Sequence, residues 1–321
     1  MSDFLLQAFS FSDGKSNTLS LETCTQCDPE AVTWLHFDGN DASTATWLKQ
    51  NAASIPSYII DELVAEETRP RAQQVGNGLL IVLRGVNLNE NADPEDMVSI
   101  RLWVEEKKIY SVRRRKLKAI SEMVEQLESG NGPSNAAEFI CVLISNLSLR
   151  MEVIFGSLDE LTDDVEESIL SEPTIELRQT ITQIRKQAII YRRYMSPQRD
   201  AINQLINTHL SWFDDLSKRK LQESHNKVTR FIEDLDAIRE RAQIVKDELM
   251  SHLSDRMNKN MYVLSVIAAL FLPLGFLTGL LGINVGGIPG SDNGDAFYVF
   301  CGILIVIVSL QVVLFKKMKW F

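Results

Sequence analysis

Residues 261–281 read MYVLSVIAALFLPLGFLTGLL, and the interpretation of the whole chain starts from this stretch. It carries no formal charge, and the uncharged run continues to Ser291. At a rise of ~1.5 Å per residue a helix over residues 261–281 is about 31 Å long, close to the thickness of the hydrocarbon core of a bilayer. A second uncharged run, Ala296–Phe315, follows a short loop. These runs predict two transmembrane helices, 261–281 and 296–315, joined by the loop 282–295.

Basic residues flank the two predicted spans on one side only. Arg256 and Lys259 precede the first span and the basic tail 316–321 follows the second, whereas the loop carries Asp292 and Asp295. Because basic residues favour the cytoplasmic side of a membrane, we expect both termini in the cytoplasm and the loop outside. Residues 1–20 lack the basic leader and long apolar core of a secretory signal. The sequence thus predicts a multi-pass protein of the cytoplasmic (inner) membrane.

Averaged over the whole chain, the composition does not reveal this apolar C-terminal region. The 321 residues have a net charge of −10, which argues against nucleic acid as a partner because phosphate binding needs a basic surface. Cys24 and Cys27 form a lone C-x-x-C with no second pair beside it. One such pair is either a metal site or incidental, so its role and any cytoplasmic metal site stay open.

Residues 1–133 are predicted to form the cytoplasmic α/β domain. Amphipathic runs predict helices over Asp41–Asn51, Ile55–Glu67 and Lys116–Glu128. Strands are expected in four β-rich runs: Val32–Phe37, Gly78–Val86, Met97–Val104 and Lys108–Arg113. These residues contain no pattern typical of a catalytic nucleophile with its activating base, no glycine-rich phosphate loop and no pair of histidine ligands. Their absence argues against an enzymatic function for this protein.

Residues 134–260 predict a bundle of long helices and a stalk. Apolar residues repeat at alternating spacings of 3 and 4, which is typical of helices packed side by side. Pro197 is expected to kink or end the second helix. The three repeats are Ile140, Ile144, Leu147, Met151, Ile154, Leu158, Leu161, Val165 and Ile169; then Leu177, Ile181, Ile184, Ala188, Tyr191 and Met195; then Val228, Phe231, Leu235, Ile238, Ala242, Val245, Leu249 and His252.

The last of these helices has no obvious end before the membrane. Between Gln198 and Leu272 there is neither Gly nor Pro, and one helix from about Lys218 to Leu281 would be ~95 Å long. The alternative is a break near Asn258–Asn260 at the bilayer surface. His252 is interpreted as a packed residue, with a metal or proton site as the alternative.

The first span has one face of mostly small residues. Two helices cannot enclose a pore, so conduction through this hairpin would require an oligomer. The small face consists of Ser265, Ala268, Leu272, Gly275 and Gly279, and the opposite face of Val263, Ile267, Leu270, Leu274 and Leu277. Small residues allow close approach to a pore axis, although Gly275-x-x-x-Gly279 is also a helix-packing motif.

Neither span contains an acidic, basic or histidine side chain. A cation between such helices would meet only backbone carbonyls, hydroxyls and the amide of Asn284, which are weak ligands suited to a hydrated ion. Asp292 and Asp295 would raise the local cation concentration at the outer mouth, or would simply be solvated.

Several motifs resemble one family. Gly282-Ile283-Asn284 resembles the Gly-Met-Asn signature of the CorA superfamily of divalent-cation transporters. The surrounding residues 271–290 (FLPLGFLTGLLGINVGGIPG) look like its ZntB zinc-transporter branch, as do Thr68-Arg69-Pro70-Arg71 and residues 192–200 (RRYMSPQRD). Leu281 and Ile283 replace the usual Tyr and Met of the magnesium branch, which favours the zinc branch.

The resemblance implies a CorA-like funnel, with an α+β cytoplasmic domain, long stalk helices and two C-terminal transmembrane helices in each of five identical chains. It implies that Gly282, Ile283 and Asn284 form an outer selectivity ring around the pore. Together with the stripe of small residues, it predicts the following pore-lining residues: Met261, Leu264, Ala268, Leu272, Gly275 and Gly279.

The leading hypothesis is therefore a homopentameric transporter of Zn²⁺, with the metal as substrate and no resident cofactor. Proton coupling, implied by the resemblance, stays open, as do transport direction and selectivity among Zn²⁺, Mg²⁺, Co²⁺ and Ni²⁺. A Mg²⁺/Co²⁺ channel on the same scaffold is one alternative. A non-conducting, membrane-anchored coiled-coil sensor is the other.

Overall fold

The computed structural model describes residues 4–20, 30–171, 173–283, 285, 288, 290 and 293–318. The chain divides into two compact units, which we call unit 1 (up to Asp247) and unit 2 (from Glu248). Unit 1 contains a β-sheet with helices packed on it, and unit 2 contains two apolar helical segments.

The described strands of unit 1 form one mixed, seven-stranded sheet in the order β2-β1-β3-β7-β6-β5-β4. Neighbours are antiparallel except β3 and β7, which run parallel with Leu35 opposite Tyr110. The strands are β1 (Leu5–Ser12), β2 (Lys15–Thr18), β3 (Val32–Asp38), β4 (Arg71–Val75), β5 (Gly78–Gly85), β6 (Val98–Val104) and β7 (Lys108–Arg113). The predicted strands correspond to β3, β5, β6 and β7.

Three of the seven strands were absent from the sequence interpretation, and each is joined to a neighbour by a tight turn. β1 and β2 form a hairpin around Asp13 and Gly14, which both have positive φ. β4 and β5 form a second hairpin whose last pair is Val75 and Gly78. Asp-Gly is a strong signal for a two-residue hairpin turn, and it was the available clue to the first pair.

Short helices cover the sheet of unit 1. They are α1 (Ala42–Asn51), α2 (Ser57–Val64) and α3 (Lys118–Glu128). The side chain of Asp41 caps α1 by accepting a hydrogen bond from the Ser43 N–H at 2.8 Å. One buried cluster joins α1 and α2 to the sheet, with Leu48, Ile59 and Trp103 among its members.

The long helices α4 (Ala136–Ser171) and α5 (Leu177–Ile206) follow. α5 continues through Pro197, so of the two expectations for this residue, a kink or a helix end, the end is wrong. The repeat predicted for α4 is also wrong at two positions. Phe155 and Thr162 are buried, whereas Ile154 is half-buried and Leu161 is 40% exposed. The inward face of α4 therefore lies one residue further along the chain at these two turns.

α6 (Asp215–Gly282) is helical through the predicted range 218–281, without the alternative break at residues 258–260. In unit 1 its predicted apolar repeat, from Val228 to Val245, is buried. Leu249 is also buried, but His252 is exposed, with Nε2 3.8 Å from a carboxylate oxygen of Glu248. His252 is therefore a surface residue within unit 2 and not the packed residue that its spacing predicted.

Unit 2 contains the remainder of α6 and the helix α7 (Ala296–Lys317). Both have the length and composition to cross a membrane, which agrees with the predicted pair of spans. The two helices are antiparallel, since Ala269 near the middle of the first span contacts Gln311 near the end of the second.

Candidate functional site

The predicted pore-lining residues of the first span lie on one side of α6. Met261, Leu264 and Leu272 are 57%, 67% and 73% exposed, and Ala268, Gly275 and Gly279 are exposed as well. With 3.6 residues per turn, these positions fall within one stripe of the helix surface. Unit 2 therefore leaves this stripe uncovered by its own chain, as a surface facing a pore or another subunit requires.

A different stripe of α6 contacts α7. It consists of Val266, Ala269, Leu270, Pro273, Leu274 and Leu277, which are buried or half-buried. The sequence interpretation placed Val263 and Ile267 on this opposite face, but both are 48% exposed. At 100° per residue the contact stripe is centred roughly 165° away from the predicted pore-lining stripe. The second span thus packs mostly behind the stripe, and Gly275 is the stripe residue that also borders α7, in a groove shared with Leu304 and Ile305.

The glycines of the exposed stripe have free space around them. A methyl group placed on Gly275, Gly279 or Gly282 would meet no described atom within 4 Å, apart from the helix's own neighbouring backbone. Packing within one chain therefore does not explain why these three positions are glycines. An approach to another molecule, or to an ion path, would explain it.

The signature segment lies at the end of α6. Gly282 is the last helical residue, and Ile283 is 49% exposed just beyond it. Asn284 and Asp292 lie outside the described residues, so their predicted roles stay predictions. Asp295 directly precedes α7, and its backbone N–H donates to the Asn293 side chain at 3.1 Å. A carboxylate at this position complements the positive end of the helix dipole.

The basic residues of unit 2 lie at one end of the hairpin. Arg256 and Lys259 lie before the first span, and Lys316 and Lys317 lie in the last turn of α7. Because the helices are antiparallel, these basic residues share one end and Asp295 lies at the other. This distribution fits the predicted orientation, with the basic end on the cytoplasmic side.

Polar side chains within the spans are tied to helix carbonyls. Ser265 donates to the Met261 carbonyl at 2.8 Å, and Thr278 donates to the Leu274 carbonyl at 2.9 Å. Their hydroxyl oxygens keep lone pairs that could accept from a hydrated ion. Gln311 of α7 donates to the Ala269 carbonyl, a contact that sequence reasoning missed.

The two family-like patches of unit 1 meet at Arg84, which the sequence interpretation also missed. Its guanidinium donates to the carbonyl of Thr68 at 2.9 Å and lies 4.4 Å from the ring centroid of Tyr194. Its backbone N–H donates to the side chain of Gln198 at 2.8 Å. These contacts join residues 68–71 to residues 192–200 and explain both patches as packing elements.

Arg84 in β5, Arg101 in β6 and Arg114 directly after β7 form a row of three arginines that hold residues 64–68 through backbone carbonyls. The pairs are Arg114 to Val64 at 2.8 Å, Arg101 to Glu66 at 3.1 Å and Arg84 to Thr68 at 2.9 Å. Arg101 is fully buried. Burial, together with the nearby positive charges of Arg114 and Arg84, lowers its pKa to about 10 from the usual 12.5.

An ion-pair cluster joins α4 to α6 within unit 1. Arg241 contacts Asp159 at 2.8 Å, Glu166 at 2.8 Å and also Asp163. The hydrogen bonds that Arg241 donates to Glu166 and Asp163 raise its pKa. Across the described part of the chain, no group of three or more His, Cys, Asp or Glu is arranged to hold a metal ion. Cys24 and Cys27 lie outside that part.

Comparison with known proteins places the chain in a family. The model of the family described as "CorA-like Mg2+ transporter protein" matches residues 29–317. The zinc transport protein ZntB of Yersinia enterocolitica is 36% identical over 96% of this chain and 94% of its own length. The divalent cation transporter CmaX of Pseudomonas aeruginosa is 37% identical over 91% and 88%. The structure of full-length CmaX matches with a TM-score of 0.87 at 34% identity, covering 100% of this chain and 99% of that one. The chain therefore belongs to the CorA-like family of metal-ion transporters.

Proposed function

We propose that this protein is a zinc transporter of the cytoplasmic membrane, in which the first span lines the path of a hydrated Zn²⁺ ion. The observation that carries the proposal is end-to-end similarity to a protein named for zinc transport, at 36% identity over 96% of the chain. The exposed, uncharged stripe of α6 supports it, because a divalent ion that keeps its water shell needs no charged ligand in the path.

The proposal includes an oligomer, and by family resemblance a homopentamer. Two apolar helices per chain cannot surround a water-filled path, and the stripe from Met261 to Gly279 is open in the single chain. Five copies arranged around an axis would place five such stripes against one path. Native mass spectrometry of the detergent-solubilised protein gives the copy number directly.

At the outer end of this path we assign ion selection to Gly282, Ile283 and Asn284. In an oligomer the asparagine amide oxygens would accept hydrogen bonds from the water shell of the cation. Asp292 and Asp295 would attract cations to the mouth in every subunit, since acidic residues concentrate counter-ions. The position of Gly282 at the end of α6 supports this assignment.

Proton coupling is a separate part of the proposal. The spans 261–281 and 296–315 contain no Asp, Glu, His, Lys or Arg. Proton transfer would therefore use His252, the loop aspartates or water. Zinc flux into liposomes, measured with and without an imposed pH gradient, tests this part. Equal flux in both conditions would refute coupling and leave the zinc assignment intact.

The selectivity assignment is tested by zinc flux into liposomes that contain the wild type, Asn284→Ala or Asn293→Ala. Asn293 is the matched control, because it belongs to the same loop but is placed at the start of α7. We expect loss of zinc flux or of ion discrimination only in Asn284→Ala. Undiminished, equally selective flux in that variant would remove the selectivity ring.

Competition in the same assay separates the metals. If excess Mg²⁺ or Co²⁺ abolishes zinc flux and is itself carried faster, the protein is the Mg²⁺/Co²⁺ channel of the alternative hypothesis. The absence of flux for all these ions in a correctly assembled wild type would favour the non-conducting sensor.

A further inference from the structure

Pro273 interrupts the hydrogen bonding of the first span. α6 remains helical through this position, but proline has no backbone N–H. The carbonyl of Ala269, four residues earlier, therefore lacks its helical donor. Within a bilayer no water replaces that donor, so a free carbonyl is costly unless a neighbouring helix supplies a partner.

Gln311 on α7 supplies this partner. Its side-chain Nε2 lies 3.4 Å from the carbonyl oxygen of Ala269. Gln311 is half-buried on the face of α7 that packs against α6, and it is the one carboxamide in the sequence of that helix. Ser309, two residues earlier, is exposed and donates instead to Ile305 of its own helix.

The orientation of the Gln311 amide follows from the acceptor. Ala269 offers a carbonyl oxygen, so the NH₂ group must point towards it and Oε1 must point away. Oε1 is buried and has no hydrogen-bond partner among the described residues. An unsatisfied buried acceptor destabilises the pair, whereas an apolar side chain here would not. Packing of the hairpin alone therefore does not explain a glutamine at this position.

The contact lies behind the predicted ion path, on the side of α6 that packs against α7. Pro273 faces α7, while its neighbours in the chain, Leu272 and Gly275, belong to the exposed stripe. A membrane helix can change direction at a proline, and the angle of the bend depends on which group hydrogen-bonds to the freed carbonyl. A hydrogen bond from α7 at this carbonyl thus fixes the orientation of residues 272–279.

We propose that Gln311 is a positioning residue for transport, which replaces the helical hydrogen bond missing at Pro273 and so holds the following turns of the first span in place. The proposal rests on the proposed transport function only for its flux readout. Gln311 does not touch the ion; it acts through Ala269 and the helix.

The decisive experiment is a double-mutant cycle in the full-length oligomer. Gln311→Met keeps the side-chain length and removes the donor. Pro273→Ala restores a backbone N–H at position 273, so the Ala269 carbonyl regains its own helical donor and Gln311 becomes redundant. Pro273→Leu does the same with a larger side chain and serves if the alanine variant does not assemble. Ser309→Ala is the matched control.

We expect Gln311→Met to lower the maximal zinc flux by about threefold. This is the factor that corresponds to the free energy of a typical interhelical hydrogen bond in a membrane. The half-saturating Zn²⁺ concentration should stay unchanged, because the selectivity segment is not altered. The thermal unfolding midpoint should fall only slightly, because loss of the donor to Ala269 is partly offset by removal of the unpaired Oε1. In the Pro273→Ala background, Gln311→Met should have no further effect. Ser309→Ala should behave as wild type.

Hydrogen exchange of the backbone amides in residues 270–279 provides a readout independent of transport. Gln311→Met should accelerate exchange there, and Pro273→Ala should suppress that acceleration. Equal effects of Gln311→Met in both backgrounds, or a wild-type exchange pattern in Gln311→Met, would overturn the proposal. If the wild type carries no zinc, the proposed function fails, and the exchange cycle alone decides the role of Gln311.

Discussion

α4 in unit 1 and α7 in unit 2 are both long and apolar enough to cross a membrane, yet the chain treats them in opposite ways. More than half of the apolar window of α4 is buried by the rest of its unit (56%), but none of that of α7 is (0%). α4 packs against the sheet and its neighbouring helices, where Phe139 contacts Phe11 and Trp34. Among the described residues of unit 2, α7 has one stripe of α6 as its partner.

Apolar composition alone therefore does not determine whether a helix is surrounded by protein or by lipid. An apolar face must be covered by something, and in α4 the chain itself provides the cover. In α7 the cover must come from lipid or from other subunits, because the described part of unit 2 supplies only one neighbouring helix.

The largest effect is expected at phenylalanine. Phe139 in α4 is fully buried, and Phe297 in α7 is 69% exposed. Phe139→Ala should destabilise unit 1 by about 3–5 kcal/mol, because it removes a buried ring and leaves a cavity. Phe297→Ala should change stability by less than about 0.5 kcal/mol in detergent. Chemical unfolding followed by far-UV circular dichroism measures both, and equal losses would contradict the contrast.

Glycine provides a second matched pair. A methyl group on Gly78 would overlap the indole of Trp103, whereas one on Gly279 has open space. Gly78→Ala should therefore cost about 1–3 kcal/mol through overpacking. Gly279→Ala should cost nothing in stability and instead lower zinc flux, because the added methyl would narrow the proposed path. Thermal unfolding and liposome flux, measured together, separate the two effects. Unchanged flux in Gly279→Ala would remove that residue from the path.

Much of this contrast could be predicted from the sequence, because long uncharged runs indicate membrane spans directly. The assignment to a transporter family, and not to an enzyme, is likewise confirmed by the family match over residues 29–317. Strands β3, β5, β6 and β7 were also predictable, since their β-branched runs are buried on both faces.

The errors of the sequence analysis have physical causes. β2 and β4 are short, polar edge strands, and β1 mixes apolar with polar residues, so the pairing of these three strands depends on tight turns more than on hydrophobicity. In α4 the alternating spacing of 3 and 4 is compatible with either Ile154 or Phe155 facing inward. Phe155 is the buried one, because it packs against Tyr191 and Phe231 of the neighbouring helices. The Gln311 contact joins residues 42 positions apart, which no local pattern reports.

A buried histidine makes unit 1 sensitive to acid. Burial among apolar side chains lowers the pKa of His36 to about 3 from 6.5, so the folded form disfavours protonation. The unfolded chain then binds the extra proton as pH falls below 6.5, and the stability present above that pH is lost progressively towards pH 3. Between about pH 7 and about pH 5 the loss is about 2 kcal/mol.

His36→Gln should remove this part of the pH dependence. Urea unfolding at both pH values measures it, and His209→Gln, at an exposed histidine, controls for loss of an imidazole. If the wild type and His36→Gln lose the same stability between the two pH values, buried His36 is not the acid-sensitive group.

The smallest effect is expected at the polar contact between α4 and α6. Arg241 binds three carboxylates, but its side chain is 31% exposed and water screens the attraction. Arg241→Met should therefore cost only about 1 kcal/mol, and less in about 1 M salt, where the Debye length falls to about 3 Å. Unfolding of Arg241→Met and of the exposed control Arg219→Met at low and high salt measures this. A loss independent of salt would mean that Arg241 stabilises α4 and α6 through its aliphatic stem. In that case unit 1, like the membrane hairpin, would hold its long helices together by apolar contacts.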